Sequence, residues 1–288
     1  MSLFDILERI DHRPYWKKEK CLRYISSKSS CSKCKDVCYK DYISWENSLI
    51  NIANNCDGCG ACSEHCPTKA LNSVEREFYI IAQTLYISFD KKFRFKANSI
   101  YFSNEYYFSM DAISRFYLQG IRKIVVIGNN RNEYVKKMVD NVNTYLNKKL
   151  MENIGCEFWS IEFWDNEKQN LPSFKDKVCS RREAFLICEN EMKSFFRRVL
   201  GYQCTKDNTF LKLLKTINFF PNKNMGIYTV VLDSYKCVGC QACVKICPQN
   251  ARYKKQNKVE QNFENCVGCG LCIEICPEQS LSYEEKKF

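Results

Sequence analysis

Histidine is nearly missing from this chain of 288 residues, with only His12 and His65 present. A nucleophilic thiol needs a base beside it, most often a histidine, so a Cys–His catalytic constellation has almost nothing to draw on. Long apolar runs are missing as well. The longest stretch that looks apolar, Phe78 to Phe89, is interrupted by Gln83, Thr84 and Ser88 and falls well short of the ~20 residues of a membrane span. The first ten residues carry Asp5, Glu8 and Arg9 in place of an apolar signal core. A cytoplasmic, reducing location is therefore expected, where clustered cysteines read as metal ligands rather than disulfides. The dinucleotide fingerprint is also absent. Gly128 follows a β-branched run as a nucleotide-binding glycine would, but Asn129, Asn130 and Arg131 supply no second or third glycine.

What the chain has in excess is cysteine, twenty in all. Near one end Cys237, Cys240, Cys243 and Cys247 precede Pro248, and Cys266, Cys269, Cys272 and Cys276 precede Pro277. This is C-x2-C-x2-C-x3-C-P, written twice. Thiolates at this spacing wrap one face of a cubane, while the fourth sulfur reaches the neighbouring cluster. A third copy, Cys56, Cys59, Cys62 and Cys66 with Pro67, carries the small residues Gly58, Gly60 and Ala61, which let backbone N–H groups approach the sulfurs. The C-x3-C-x2-C order of radical-SAM enzymes is the reverse of Cys31, Cys34 and Cys38, which disfavours that class.

A single motif supplies half of a two-cluster module, so the third copy calls for a partner upstream. Cys21, Cys31, Cys34 and Cys38 fit as C-x9-C-x2-C-x3-C, the same pattern with seven extra residues after the first cysteine. The insertion, Ser-rich from Ile25 to Ser30, is expected to bulge from the surface. Two internal features support the pairing. Cys38 and Cys56 are separated by 17 residues, Cys247 and Cys266 by 18. The residues four and five places after each fourth cysteine also correspond: Tyr42 and Ile43, Ala70 and Leu71, Ala251 and Arg252, Ser280 and Leu281. Three of the four pairs end on an apolar residue; Arg252 is the exception. Tyr39 stands where the other motifs have proline, and Cys21 is remote from its group. Were Cys21 not a ligand, its site would hold a three-iron cluster, a cluster with one open iron, or no stable cluster.

On these motifs residues 233–288 resemble a bacterial dicluster ferredoxin, and residues 21–72 resemble a second one with an insertion. The resemblance implies a (βαβ)2 fold in which each cluster takes three cysteines from one motif and the last from the other. It implies four [4Fe-4S] clusters. One would bind Cys21, Cys31, Cys34 and Cys66, and its neighbour Cys56, Cys59, Cys62 and Cys38. In the C-terminal module one would bind Cys237, Cys240, Cys243 and Cys276, and the other Cys266, Cys269, Cys272 and Cys247. Cys156, Cys179, Cys188 and Cys204 fit no such spacing and are expected to pack as small hydrophobes.

The formal charge of +11 counts every thiol as neutral. Four oxidised clusters with their thiolates would contribute about −8 and leave the loaded protein near +3. The basic excess that survives lies in the middle of the chain, suited to steering an acidic redox partner.

The expected architecture is α+β, with ferredoxin-like (βαβ)2 dicluster modules at 1–96 and 225–288 flanking a central α/β domain at 97–224 with a partly parallel sheet. In that domain the periodicity predicts helices from Ser109 to Leu118, Asn132 to Leu150 and Ser180 to Gly201, and strands from Ile121 to Gly128 and Cys156 to Trp164. Gly226 to Leu232 reads as the strand that opens the last module. Residues 3–10 predict a helix packed on its own domain. Arg181, Arg182, Arg197 and Arg198 read as a solvated helix face, and the ring of His65 is expected to face solvent.

Cubanes held by four cysteines have no open coordination site, so their default chemistry is one-electron exchange. The sequence thus reads as an electron-transfer polyferredoxin, free or a subunit of an oxidoreductase complex, and not itself an enzyme. The competing readings are a reductase with its catalytic site in the central domain, and a nucleic-acid-binding iron–sulfur protein drawn by the basic middle.

Overall fold

A computed structural model describes residues 13–73, 84–90, 99–118, 120–128, 132–143, 160–163, 230–256 and 258–283. The predicted helices at 3–10 and 180–201, the arginines of the latter, and Cys156, Cys179, Cys188 and Cys204 lie outside these residues.

The N-terminal part runs β1 (Tyr15–Trp16), α1 (Leu22–Ile25), α2 (Lys33–Asp36), β2 (Ile43–Glu46), β3 (Leu49–Ile52), α3 (Ala61–His65) and β4 (Leu71–Asn72). First and last strands pair antiparallel, Trp16 opposite Leu71. β2 and β3 form the hairpin between the two cysteine motifs. Its turn places Asn47 and Ser48 at φ +48° and +67°, the doubly left-handed turn that matches strand twist. The Ser-rich insertion turns at the surface, where Ser27, Lys28 and Ser30 are exposed, but it begins with α1, whose Leu22 is buried, and its Ser29 is buried too.

The middle of the chain forms β5 (Thr84–Ser88), β6 (Ser99–Tyr101), α4 (Met110–Leu118), β7 (Lys123–Ile127), α5 (Glu133–Asn141) and β8 (Ser160–Phe163). Its four strands are parallel in the order β6-β5-β7-β8. A parallel sheet is covered on both faces, and Ile124, Val125, Val126 and Ile127 are accordingly all buried. Each such side chain contributes about 1.5–3 kcal/mol. β5 precedes residue 97 but pairs with β6 and β7, so this sheet begins before the expected boundary. Asn132 caps α5 by accepting from the Val135 N–H at 3.1 Å.

The last part runs β9 (Val230–Leu232), α6 (Ala242–Ile246), β10 (Arg252–Lys255), β11 (Lys258–Gln261), α7 (Leu271–Ile275) and β12 (Leu281–Tyr283). It repeats the N-terminal arrangement, with β9 paired antiparallel to β12 and a β10–β11 hairpin between its motifs. Small antiparallel sheets at either end thus flank a larger parallel sheet. Val267 and Cys269 of the last part pack against the core of the middle sheet. No helix among the described residues is long and apolar enough to cross a membrane.

Candidate iron-sulfur sites

Three of the four motifs bend the chain in the same way between their second and third cysteines. Gly60, Gln241 and Gly270 stand at φ +84°, +62° and +82°, and each opens the short helix that carries the third cysteine. At two of these positions a ring leaves no room for a side chain: a Cβ on Gly60 would lie 2.9 Å from the Tyr107 ring, and one on Gly270 would lie 2.6 Å from the Tyr283 hydroxyl. The first motif departs here, since Ser32 precedes α2 at φ −125°.

The ends of all four motifs coincide. Four residues after each fourth cysteine a backbone N–H points back at its sulfur: Tyr42 to Cys38 at 3.3 Å, Ala70 to Cys66 at 3.1 Å, Ala251 to Cys247 at 3.3 Å and Ser280 to Cys276 at 3.4 Å. One residue later each chain enters a strand, at Ile43, Leu71, Arg252 and Leu281. All four of these residues are buried. Cys38 shares this geometry although Tyr39 replaces the proline. Donors to sulfur stabilise a thiolate, and thus the charged form that binds iron.

The structure brings thiols together across motifs. One cavity wall carries Cys38 with Cys56, Cys59 and Cys62, and another carries Cys276 with Cys237, Cys240 and Cys243. Burial pushes the Cys34 thiol up to about 12, and the adjoining Cys66, Cys31 and Cys21 add to the rise. Burial likewise pushes Cys269 up to about 11, with Cys272, Cys247 and Cys266 contributing repulsion. Sets of buried thiols that repel one another as thiolates fit a cationic iron core, which reverses the sign of that interaction. Among the described residues no group of His, Cys, Asp or Glu is gathered for a single metal ion. Ligands of a cubane stand at its separate corners, so wider spacing is what such a core requires.

The N-terminal thiols are joined to the middle domain by residues that the sequence does not mark. Asn104, 1% exposed, donates its amide to the Val37 carbonyl at 3.1 Å and to Cys59 Sγ at 3.6 Å. Arg115 grips the fully buried Glu64 carboxylate with two bonds, at 3.0 and 2.8 Å, and Lys69 pairs with Asp111 beside it. His65 does not face solvent. Its Nε2 lies 2.8 Å from the Tyr106 carbonyl and 3.1 Å from the Tyr134 hydroxyl, and burial holds its pKa below the ordinary value. These partners lie 41 to 69 residues from His65, a separation at which local periodicity carries no signal. The insertion also reaches across the molecule: Ser30 donates its N–H and hydroxyl to Glu274 of α7, at 3.1 and 2.5 Å.

Two comparisons agree with this geometry. A family model described as a 4Fe-4S dicluster domain matches residues 229–277. A second, described as a 4Fe-4S binding domain, matches residues 51–72. A search of curated proteins found no match to the chain. The chain thus contains 4Fe-4S ferredoxin-type domains towards both ends. They make it a metal-binding iron–sulfur protein with a general role in electron transport.

Proposed function

We propose that the chain is a polyferredoxin holding four [4Fe-4S] clusters, two in residues 13–73 and two in residues 230–283, and that it passes single electrons between protein partners. The ligand sets are Cys21, Cys31, Cys34 and Cys66; Cys38, Cys56, Cys59 and Cys62; Cys237, Cys240, Cys243 and Cys276; and Cys247, Cys266, Cys269 and Cys272. When bound, each cluster supplies one-electron exchange. The protein's part is to hold four thiolates, direct N–H donors at them and limit water. The observation that carries the reading is the fourfold recurrence of the N–H-to-Sγ bond at the same offset, the degenerate first motif included. The middle domain acts as the frame on which both modules are seated, rather than as a catalytic unit.

The site open to a partner is the one in the C-terminal module that includes Cys240. Cys240 is exposed, and Tyr235 and Val238 beside it are 100% and 67% exposed. A compartment that keeps thiols reduced suits the chain. The test is EPR of the anaerobically reconstituted, dithionite-reduced protein, with Cys34→Ala and Cys243→Ala as probes. Each substitution should remove the signal of one cluster, in a different module each time. Loss from only one module's substitution would reduce the reading to a single dicluster module.

A further inference from the structure

The residue five places after the fourth cysteine enters a buried strand position in every motif. In three motifs it is aliphatic: Ile43, Leu71 and Leu281, exposed by 3%, 2% and 4%. Ile43 and Leu71 pack directly among the thiols of the N-terminal module, and Leu281 among those of the C-terminal one. In the remaining motif, the third along the chain, the same position holds Arg252, only 5% exposed. Its guanidinium donates to the Val230 carbonyl at 2.9 Å. Val230 packs in one cluster with Cys243, Cys272 and Cys276, so this bond anchors the guanidinium beside the thiols of the module. Among the described residues no carboxylate pairs with it. Cys243 and Cys272 fall in different ligand sets, so one buried cation lies beside both sites of the C-terminal module. Ile43, its counterpart in the N-terminal module, supplies no charge.

We infer that Arg252 sets the C-terminal module at a higher reduction potential than the N-terminal module, and thereby fixes the direction of electron flow from the N-terminal sites to the C-terminal ones. The inference rests on the four-cluster reading. The step transfers one electron from a reduced N-terminal site, which is oxidised, to a C-terminal site, which is reduced; no bond forms or breaks and no proton moves. The accepting site gains one negative charge. A fixed guanidinium in a medium of effective dielectric about 20 favours that charge by more than about tenfold even at ~10 Å. For one electron, tenfold is about 59 mV. The direction also ends at the exposed Cys240, where a partner can collect the electron.

The test is an EPR-monitored redox titration of the full-length reconstituted protein, with the two N-terminal signals assigned by their loss in Cys34→Ala and in Cys59→Ala. Iron is counted first, and about eight per chain instead of about sixteen would overturn the four-cluster reading before any potential is compared. In the wild type the C-terminal potentials should lie above the N-terminal ones. The opposite order, or coincidence, overturns the inference whatever the variants do. Arg252→Met, which keeps the bulk and removes the charge, should lower the C-terminal potentials by about 59 mV or more and leave the N-terminal ones in place. Arg252→Lys should restore most of the difference. An iron-replete Arg252→Met protein with unchanged C-terminal potentials would show that the arginine is structural only.

Discussion

Replacing Arg115 by methionine should release the N-terminal module from the middle domain. In the native protein the guanidinium forms two bonds to a Glu64 carboxylate whose side chain is 0% exposed, while Arg115 itself is 22% exposed. Removing the cation strands a buried carboxylate, which typically costs about 3–5 kcal/mol. Ser109 still donates to Glu64 at 3.3 Å, so the lower end, about 3 kcal/mol, applies. That energy should appear as native-state hydrogen exchange about a hundredfold faster in α3 and in the first turn of α4, with β10 and β11 unaffected. Arg115→Lys should fall between, because an ammonium cannot reproduce the two-pronged grip. Replacing Glu64 and Arg115 together by methionine should recover most of the protection, since no charge is then left buried without its partner. If Arg115→Met changed exchange in α3 by less than about threefold, the ion pair would not hold the module in place.

Removing the amide of Asn104 takes one donor from Cys59. Asn104→Ala should lower the potential of the cluster that includes Cys59 by the worth of one hydrogen bond, about 1 kcal/mol or roughly 40 mV, read by the same EPR titration. Gly60→Ala forces a side chain into φ +84° against the Tyr107 ring. It should cost at least about 1–2 kcal/mol and lower iron retention on thermal challenge, whereas Gln241→Gly in the equivalent place should be tolerated. Glu274→Ala removes the acceptor of two Ser30 bonds. The Ser30 amide should then exchange about tenfold faster, while Glu274→Gln, which keeps an acceptor oxygen, should retain most of the protection. Chelating the iron should remove colour and the antiparallel pairing of β9 with β12 together, followed by far-UV circular dichroism and exchange.

The cysteine spacings expose the site chemistry in the sequence because each cysteine motif is a short, rigid segment. The offsets after Cys38, Cys66, Cys247 and Cys276 translate directly into an N–H donor and a strand start. β7 and α4 were legible for a similar reason, as a β-branched run and an amphipathic turn pattern closed by Gly120. The docking contacts were not. Glu64, His65 and Lys69 sit inside or beside a cysteine motif, and nothing local distinguishes a solvated charge from one paired with Arg115 or Asp111. The expected solvent-facing His65 failed on this point, and the anchoring of the insertion, where Arg23 bonds the Ser30 and Cys31 carbonyls and stacks over Trp45, was equally invisible. The place of β5 was obscured by residues 74–98, whose mixed composition gives no punctuation between module and sheet. Arg252 was visible as the one charged residue in an apolar series, but its position among the thiols required the fold.

A duplicated electron path requires Cys21, Cys31, Cys34 and Cys38 to be half of a genuine dicluster module. Iron and sulfide analysis of the anaerobically reconstituted full-length chain tests this directly. About sixteen of each per chain is the expected result. About eight of each would leave only one paired module loaded and would contradict the duplicated electron path.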